Sequence, residues 1–242
     1  MKTLILAGGK GTRFMEESKH MPKPMIPING KPMVLYIIDH YKKFEFNDFV
    51  ILGGIKVDYI IDYFDKNFKK INAEENLYQT DEGVNIQILD TGEDTMTGGR
   101  VKQAVEKLEI KEFLLTYGDG FCDVDINLVI KKFRETKTIA TVTAVRPPAR
   151  FGSLQIEGDL VKSFGEKNQA KEGWINGGFF VMSSKIIEFI NSNSMPLEKE
   201  PLELIALKNQ LSVYQHFGFF QPVDTLREKE ILEKFLTENN VY

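Results

Sequence analysis

The chain has 242 residues, 42% hydrophobic and 27% charged, with 31 Lys and Arg against 35 Asp and Glu for a net charge of −4. That is the balance of an ordinary globular protein, long enough for one large α/β domain or two small ones, without the basic field that draws in nucleic acid. The one cysteine, Cys122, excludes an internal disulfide and a cysteine-cluster metal site. The opening apolar run ends at Ala7, too short for the apolar region of a signal peptide, and no stretch reaches membrane-spanning length. A soluble cytoplasmic protein, without membrane or nucleic-acid partners, is the expectation.

Up to about residue 135, apolar runs alternate with helical patterns. "KTLILA" (2–7), "DFVILGG" (48–54), "VNIQILD" (84–90) and "EFLLTYGD" (112–119) read as strands with little polar alternation. Such strands suit a parallel sheet covered on both faces. Residues 32–46, 57–68 and 98–109 carry apolar side chains at helical spacing, which makes a βαβ series with right-handed crossovers. "QTDEGV" (79–84) reads as a polar loop. From about 138 the strands are closer together, with a hairpin predicted around "EGD" (157–159). A final amphipathic helix over 224–239 is predicted to turn Leu226, Ile231, Leu232 and Phe235 to one side. The predicted fold class is α/β: a Rossmann-like, mainly parallel mixed sheet flanked by helices, with a smaller antiparallel C-terminal part.

Ligands of such sheets sit beyond the carboxyl ends of the strands, where "AGGKGTR" falls. Bare glycine backbone lets N–H groups approach phosphate oxygens, and Arg13 offers a fork of charged donors. A tight turn with a surface arginine would explain the same residues. The dinucleotide pattern fails because position 14 is Phe, and the P-loop fails because Gly11 follows Lys10 and position 4 is Leu. Lys23 stands between Pro22 and Pro24, an ammonium on a stiff segment suited to a phosphate that gains charge during reaction. Alone it would read as a solvated lysine; the glycine loop nearby weights it toward phosphate.

"LLTYGDGFCDVDI" (114–126) places Asp119 between glycines at a strand end, a position suited to Mg²⁺ or to an ordinary turn. Asp123 and Asp125 read as caps of the next helix. Asp224 is a second metal candidate, although it or Thr225 would equally cap the last helix. Nothing in the spacing joins Asp224 to Asp119.

Together, "LAGGKGTR", "PKPMIPI", "YGDG" and Asp224 resemble the sugar-1-phosphate nucleotidylyltransferase family. "DTGEDTMTGGRVK" (90–102), "RPPARFGSL" (146–154), "INGGFFV" (175–181), "EKEPLELIA" (198–206) and "FFQPVDTLR" (219–227) resemble its glucose-1-phosphate cytidylyltransferase branch. The resemblance runs in order from residue 1 to about 235. It implies a fold of the nucleotide-diphospho-sugar transferase type, in a single domain over 1–242 with a nucleotide half (1–135) and an acceptor half (136–242). It also implies conversion of CTP and α-D-glucose 1-phosphate into CDP-glucose and pyrophosphate, with Mg²⁺ as cofactor, in a homo-oligomer. Carried over by motif, Arg13 and Lys23 would be catalytic. Leu6, Ala7, Gly8, Gly9, Gly11, Thr12 and Arg13, with Gly98 and Arg100, would bind the nucleotide. Glu166, Lys167, Asn176 and Gly177 would bind the acceptor, and Asp119 and Asp224 the metal.

Met21 stands where the branch has a lysine, Asn168 where it has a proline, and Phe220 where it has a tryptophan, while the stretch before Asp90 is shorter. Another phosphorylated small molecule as acceptor is therefore the alternative. A non-catalytic nucleotide-binding module is disfavoured by the presence of Lys23, Asp119 and Asp224. A Rossmann oxidoreductase is disfavoured by the failed fingerprint.

Overall fold

The computed structural model describes residues 1–9, 21–147, 153–157, 160–165 and 173–241. The chain opens with β1 (Lys2–Leu6), and the short strands β2 (Pro27–Ile28) and β3 (Lys31–Pro32) form a hairpin. Asn29 and Gly30 join them at φ 47° and 82°, the left-handed pair that a two-residue turn demands. Next come α1 (Met33–Lys42), β4 (Asp48–Gly53), α2 (Val57–Asn67), β5 (Lys69–Asn72), β6 (Leu77–Gln79) and β7 (Asn85–Asp90). They are followed by α3 (Thr97–Lys107), β8 (Glu112–Tyr117), β9 (Gly120–Cys122), α4 (Ile126–Thr136) and β10 (Ala140–Val145). The C-terminal part contains β11 (Ser153–Glu157), β12 (Leu160–Gly165), β13 (Ile175–Asn176), β14 (Phe180–Ser183), α5 (Glu200–Leu207), β15 (Leu211–Gln215), β16 (Phe220–Pro222) and α6 (Leu226–Glu238).

Strands of both halves join one sheet in the order β13-β10-β14-β8-β1-β4-β7-β6-β5, with β15 on the free side of β10. Its centre, β8-β1-β4-β7, is parallel, as the unalternated apolar runs predict. Alternate residues of these strands bury on opposite faces. Ile5, Ile51 and Leu114 meet the core under α1, α2 and α4; Leu4, Leu52 and Leu115 meet the core under α3 and α5. The hairpin of β11 with β12 is antiparallel, as predicted. The predicted polar loop is the turn, residues 80–84, between two antiparallel strands, β6 and β7, with Gln79 closing β6.

Two features of the fold place the site. The chain runs outward from β1 through β4 to β7, then crosses back to β8 on the other side of β1. This reversal opens a crevice at the carboxyl ends of β1 and β8. Separately, β9 pairs antiparallel with β16, aligning Gly120 with Pro222 and Phe220 with Cys122.

The helix α6 corrects the predicted face. Leu232 and Leu236 are buried against Ile26, Ile28, Met33, Phe121 and Val223, and Phe235 stacks on Phe219 at 3.6 Å between ring centres. Leu226 and Ile231 are 49% and 40% exposed. At 3.6 residues per turn they lie about 100–120° to either side of the Leu232–Leu236 stripe, so one docking surface cannot take all four predicted residues. Leu232→Ala or Leu236→Ala is expected to destabilise the protein by about 2–5 kcal/mol. Leu226→Ala should cost within about 0.5 kcal/mol, the ordinary range of a surface change. Denaturant unfolding of the three variants checks this contrast.

Candidate functional site

The crevice is a cavity of about 600 Å³. Leu6, Ala7, Gly8 and Gly9 form one wall, Tyr117 and Asp119 another, and Lys23 and Asp224 reach in from later elements. At its back the close approach of the two strand ends requires Gly118. Its N–H donates to the Leu6 carbonyl at 2.9 Å, and a Cβ there would stand 2.6 Å from Pro24 and 2.8 Å from the Leu6 oxygen.

Lys23 lies in a 3-10 turn, Lys23–Met25, that begins after Pro22. Its ammonium is paired with Asp224 and lies 3.6 Å from Asp119. The backbone that joins these acids is the extension of the β9–β16 ribbon, in which the Val223 N–H donates to the Asp119 carbonyl at 2.9 Å. The competing role for Asp224 is filled by its neighbours: Thr225 caps α6, and the Glu228 carboxylate accepts from the Asp224 N–H at 2.9 Å. The Asp224 side chain does not cap α6; it pairs with Lys23. Enclosure in the cavity raises the Asp119 carboxyl above its ordinary pKa. Lys23 pulls it the other way and the Asp224 charge adds to the rise.

Of the two other acids on this segment, Asp125 caps α4 as predicted, accepting from the Asn127 and Leu128 N–H groups. Asp123 does not. It accepts from the Phe219 N–H at 2.7 Å and lies 2.7 Å from His216 Nε2. The chain returning from β15 thus claims it before the helix can.

Arg100, expected at the nucleotide, borders the cavity but points its donors at the protein. The buried guanidinium donates to the carbonyls of Gly8 at 2.8 Å, Gly53 at 2.7 Å and Gly92 at 2.9 Å, and to the Thr91 hydroxyl. It ties together the carboxyl ends of β1, β4 and β7. A Cβ at Gly8 would stand 2.2 Å from its Cζ, so that glycine makes room for the arginine, whereas among the described residues a Cβ at Gly9 would meet nothing within 4 Å. Gly98 also has a packing role: its N–H donates to the Met195 carbonyl at 3.1 Å, and a Cβ would lie 2.6 Å from that oxygen.

On the expected acceptor side, Gly177 donates to the Thr143 carbonyl at 2.9 Å and packs against Val145. Asn176 donates from Nδ2 to the Tyr117 hydroxyl at 3.1 Å. Gly11, Thr12, Arg13, Glu166 and Lys167, and the tip of the 157–159 turn, lie outside the described residues. Three residues without a sequence-assigned role, Tyr117, Thr97 and Glu198, join this network. The Tyr117 hydroxyl donates to Glu198 at 2.9 Å, and the Thr97 hydroxyl donates to the other Glu198 oxygen at 2.6 Å. Tyr117 precedes the Gly-Asp-Gly turn, and that position was its only signal.

Among the described residues no helix is long and apolar enough to cross a membrane.

Arg100→Met is expected to lower stability by about 3 kcal/mol or more, because several buried carbonyls lose a charged donor together. Arg100→Lys should recover little, since one ammonium cannot span the fork. Thermal unfolding without nucleotide separates this bracing role from a purely nucleotide-binding one, in which the melting temperature would not move.

The sequence matches the Nucleotidyl transferase family over residues 2–218. It is 41% identical to the glucose-1-phosphate cytidylyltransferase of Salmonella typhi, over 96% of this chain and 95% of that protein. Among solved structures, HddC from Yersinia pseudotuberculosis complexed with GMP-PN aligns at a TM-score of 0.71 and 26% identity, over 97% of this chain and 99% of that one. An apo UDP-glucose pyrophosphorylase aligns at 0.72 and 16%, over 99% of each chain, which is a likeness of fold. The mixed sheet is that of the nucleotide-diphospho-sugar transferases, and the chain belongs to the nucleotidyl transferase family.

Proposed function

We propose that the protein transfers a cytidylyl group from CTP to a sugar 1-phosphate, with α-D-glucose 1-phosphate as the acceptor, giving CDP-glucose and pyrophosphate. The observation that carries this reading is the convergence of Lys23, Asp119 and Asp224 in the cavity beyond β1 and β8. The identity to a named cytidylyltransferase supports the choice of CTP and of glucose 1-phosphate.

The acceptor phosphate is already an anion, so the reaction needs no protein nucleophile. One of its oxygens attacks the α-phosphorus of CTP in line, the bond from the α-phosphorus to the β-phosphate oxygen breaks, and pyrophosphate leaves with that electron pair. The protein's work is positioning and charge neutralisation. The triphosphate lies along the loop after β1, where Gly9 leaves open space for phosphate oxygens.

The carboxylates of Asp119 and Asp224 are hard oxygen donors that already share a cation, the Lys23 ammonium, and this donor set fits Mg²⁺. When bound there, Mg²⁺ would neutralise charge on the phosphate oxygens. Lys23, in the same cavity, would contact the α-phosphate, where charge builds in the transition state. Arg13, Gly11 and Thr12 complete the phosphate site in this proposal, and Glu166, Lys167 and Asn176 serve the acceptor.

Pyrophosphate release with Mg²⁺, crossing CTP, UTP, dTTP, ATP and GTP with glucose 1-phosphate, tests the reading. CTP should be the preferred donor, and Lys23→Ala should lower kcat by roughly 10²–10³-fold, the usual loss of one transition-state charge contact. Asp224→Asn is expected to abolish the response to added Mg²⁺. Turnover with another nucleotide, or full activity without Lys23, would refute the assignment.

A further inference from the structure

Asp119 and Asp224 stand at one end of the β9–β16 ribbon, and a different set of donors stands at the other. Cys122 ends β9, Asp123 follows it, and His216 comes from the segment that leads into β16. A sulfur, a carboxylate oxygen and an imidazole nitrogen of these residues lie within 4.8 Å of one another. We propose that Cys122, Asp123 and His216 bind a divalent ion of the zinc class, which clasps the ribbon at the end opposite Asp119 and Asp224.

The donor types select the ion. Thiolate and imidazole suit Zn²⁺ and its borderline neighbours, whereas Mg²⁺ takes oxygen. In a tetrahedral zinc site, bonds of about 2.0–2.3 Å set neighbouring ligand atoms roughly 3.3–3.6 Å apart. His216 Nε2 lies 2.7 Å from Asp123 Oδ1, so ligation would part this pair slightly and draw the sulfur in, with water in the fourth position. The backbone around the pair is fixed. The His216 N–H donates to the Ala144 carbonyl at 2.8 Å, and the Asp123 N–H donates to the Phe219 carbonyl at 3.2 Å. Gly218 lets the chain cross over both side chains, since a Cβ there would stand 2.5 Å from Asp123 Oδ1 and 2.7 Å from His216 Nε2. Cys122 is buried, while the Asp123 side chain is 42% exposed and gives an ion its way in.

A hydrogen-bonded His–Asp pair would also tie the chain without an ion. Such a pair needs only two of the three donors, and packing alone would accept any small apolar side chain at 122. A sulfur beside a carboxylate and an imidazole is what a borderline cation requires. Burial pushes the Cys122 thiol up, so it keeps its proton until an ion takes the proton's place. On binding, that proton passes to solvent, and the imidazole carries its own on Nδ1 and presents Nε2 to the ion.

Cys122 is the only cysteine in the chain, so any thiolate-to-Co²⁺ charge-transfer absorption reports this site alone, with no need of turnover. The full chain is titrated with Co²⁺ under excess Mg²⁺, which fills sites made of oxygen. One equivalent of Co²⁺ should give that absorption together with the visible bands of a tetrahedral ion, and one equivalent of Zn²⁺ should abolish both. Cys122→Ser should remove the charge-transfer absorption. Asp123→Asn and His216→Gln should each raise the Kd for Co²⁺ by roughly 100-fold or more, since changes in outer-shell partners alone cost about 10–100-fold. Circular dichroism of each variant without metal separates loss of a ligand from loss of the fold. Asp224→Asn should leave the titration unchanged, which sets this site apart from the proposed Mg²⁺ site. Zn²⁺ should also slow amide exchange over residues 119–123 and 219–224. No charge-transfer absorption in the wild type, binding undiminished in folded Asp123→Asn or His216→Gln, or Zn²⁺ binding with no slowing of exchange overturns the proposal.

Discussion

Two carboxylates and one ammonium meeting at the mouth of the crevice are the constraint on which the site depends. Asp119 and Asp224 repel one another, and a fold that brings them together must supply a positive charge between them. Lys23 supplies it. The three residues come from the ends of three different elements, so none is positioned by its own helix or strand alone. The antiparallel pairing of β16 with β9 sets the distance between the acids, and the proline-flanked turn sets the lysine. The packing of Leu232 and Leu236 on the β2–β3 hairpin and Phe121 holds α6, and with it Asp224, against that ribbon. A mutation well away from the phosphates can therefore act on chemistry through the register of a short ribbon.

A second charged group supports the first from below. The Arg100 guanidinium gathers the carbonyls where β1, β4 and β7 end, the edge from which the phosphate loop departs. A strand end normally leaves its last carbonyls to water, and around a ligand cavity that would place loose, solvated oxygens beside phosphates. Turning those oxygens inward onto a buried cation removes the repulsion and stiffens the rim. The glycines divide accordingly. Gly8 admits the arginine, Gly118 admits the neighbouring strand and Pro24, and Gly98 admits the 195–197 segment, while Gly9 stands clear of all of them. Most of the described glycines around this cavity serve close approach within the protein, and the proposed phosphate recognition would draw on the remainder.

The parallel half of the fold was legible because its strands are buried on both faces, which leaves runs such as "LLTYG" with no polar alternation to confuse. The strands that went unread are two to five residues long, and several are polar or proline-bearing, like Lys69–Asn72 and Phe220–Pro222; their pairing partners, rather than their composition, make them strands. The same reasoning covers the site. Lys23 and Asp119 announced themselves by local context, prolines on one and glycines on the other. Asp224 carried an equally good capping role, and only the long-range ribbon, with Thr225 and Glu228 taking over the cap, separates the two readings. Glu198 opens the "EKEPLELIA" motif, but nothing local says what it bonds, because Thr97 and Tyr117 reach it from other elements. The face of α6 was misread for a related reason: four apolar residues span too wide an arc for a single contact, and nothing local says which part of the arc docks.

An internal ammonium between the acids also suits nucleotidyl transfer as a resting state. A pair of bare carboxylates would spread apart or take up a proton, and either change would have to be undone before a triphosphate and its metal could bind. With Lys23 paired to Asp224 and 3.6 Å from Asp119, the acids keep their separation around one cation while the site waits. On the proposed reading, a metal ion held by the carboxylates would exchange one cation for another. The stiff segment of Lys23, bounded by Pro22 and Pro24, would keep its ammonium in the same cavity as the phosphate under attack. Under that proposal one residue would serve first as a counter-ion and then as a transition-state contact.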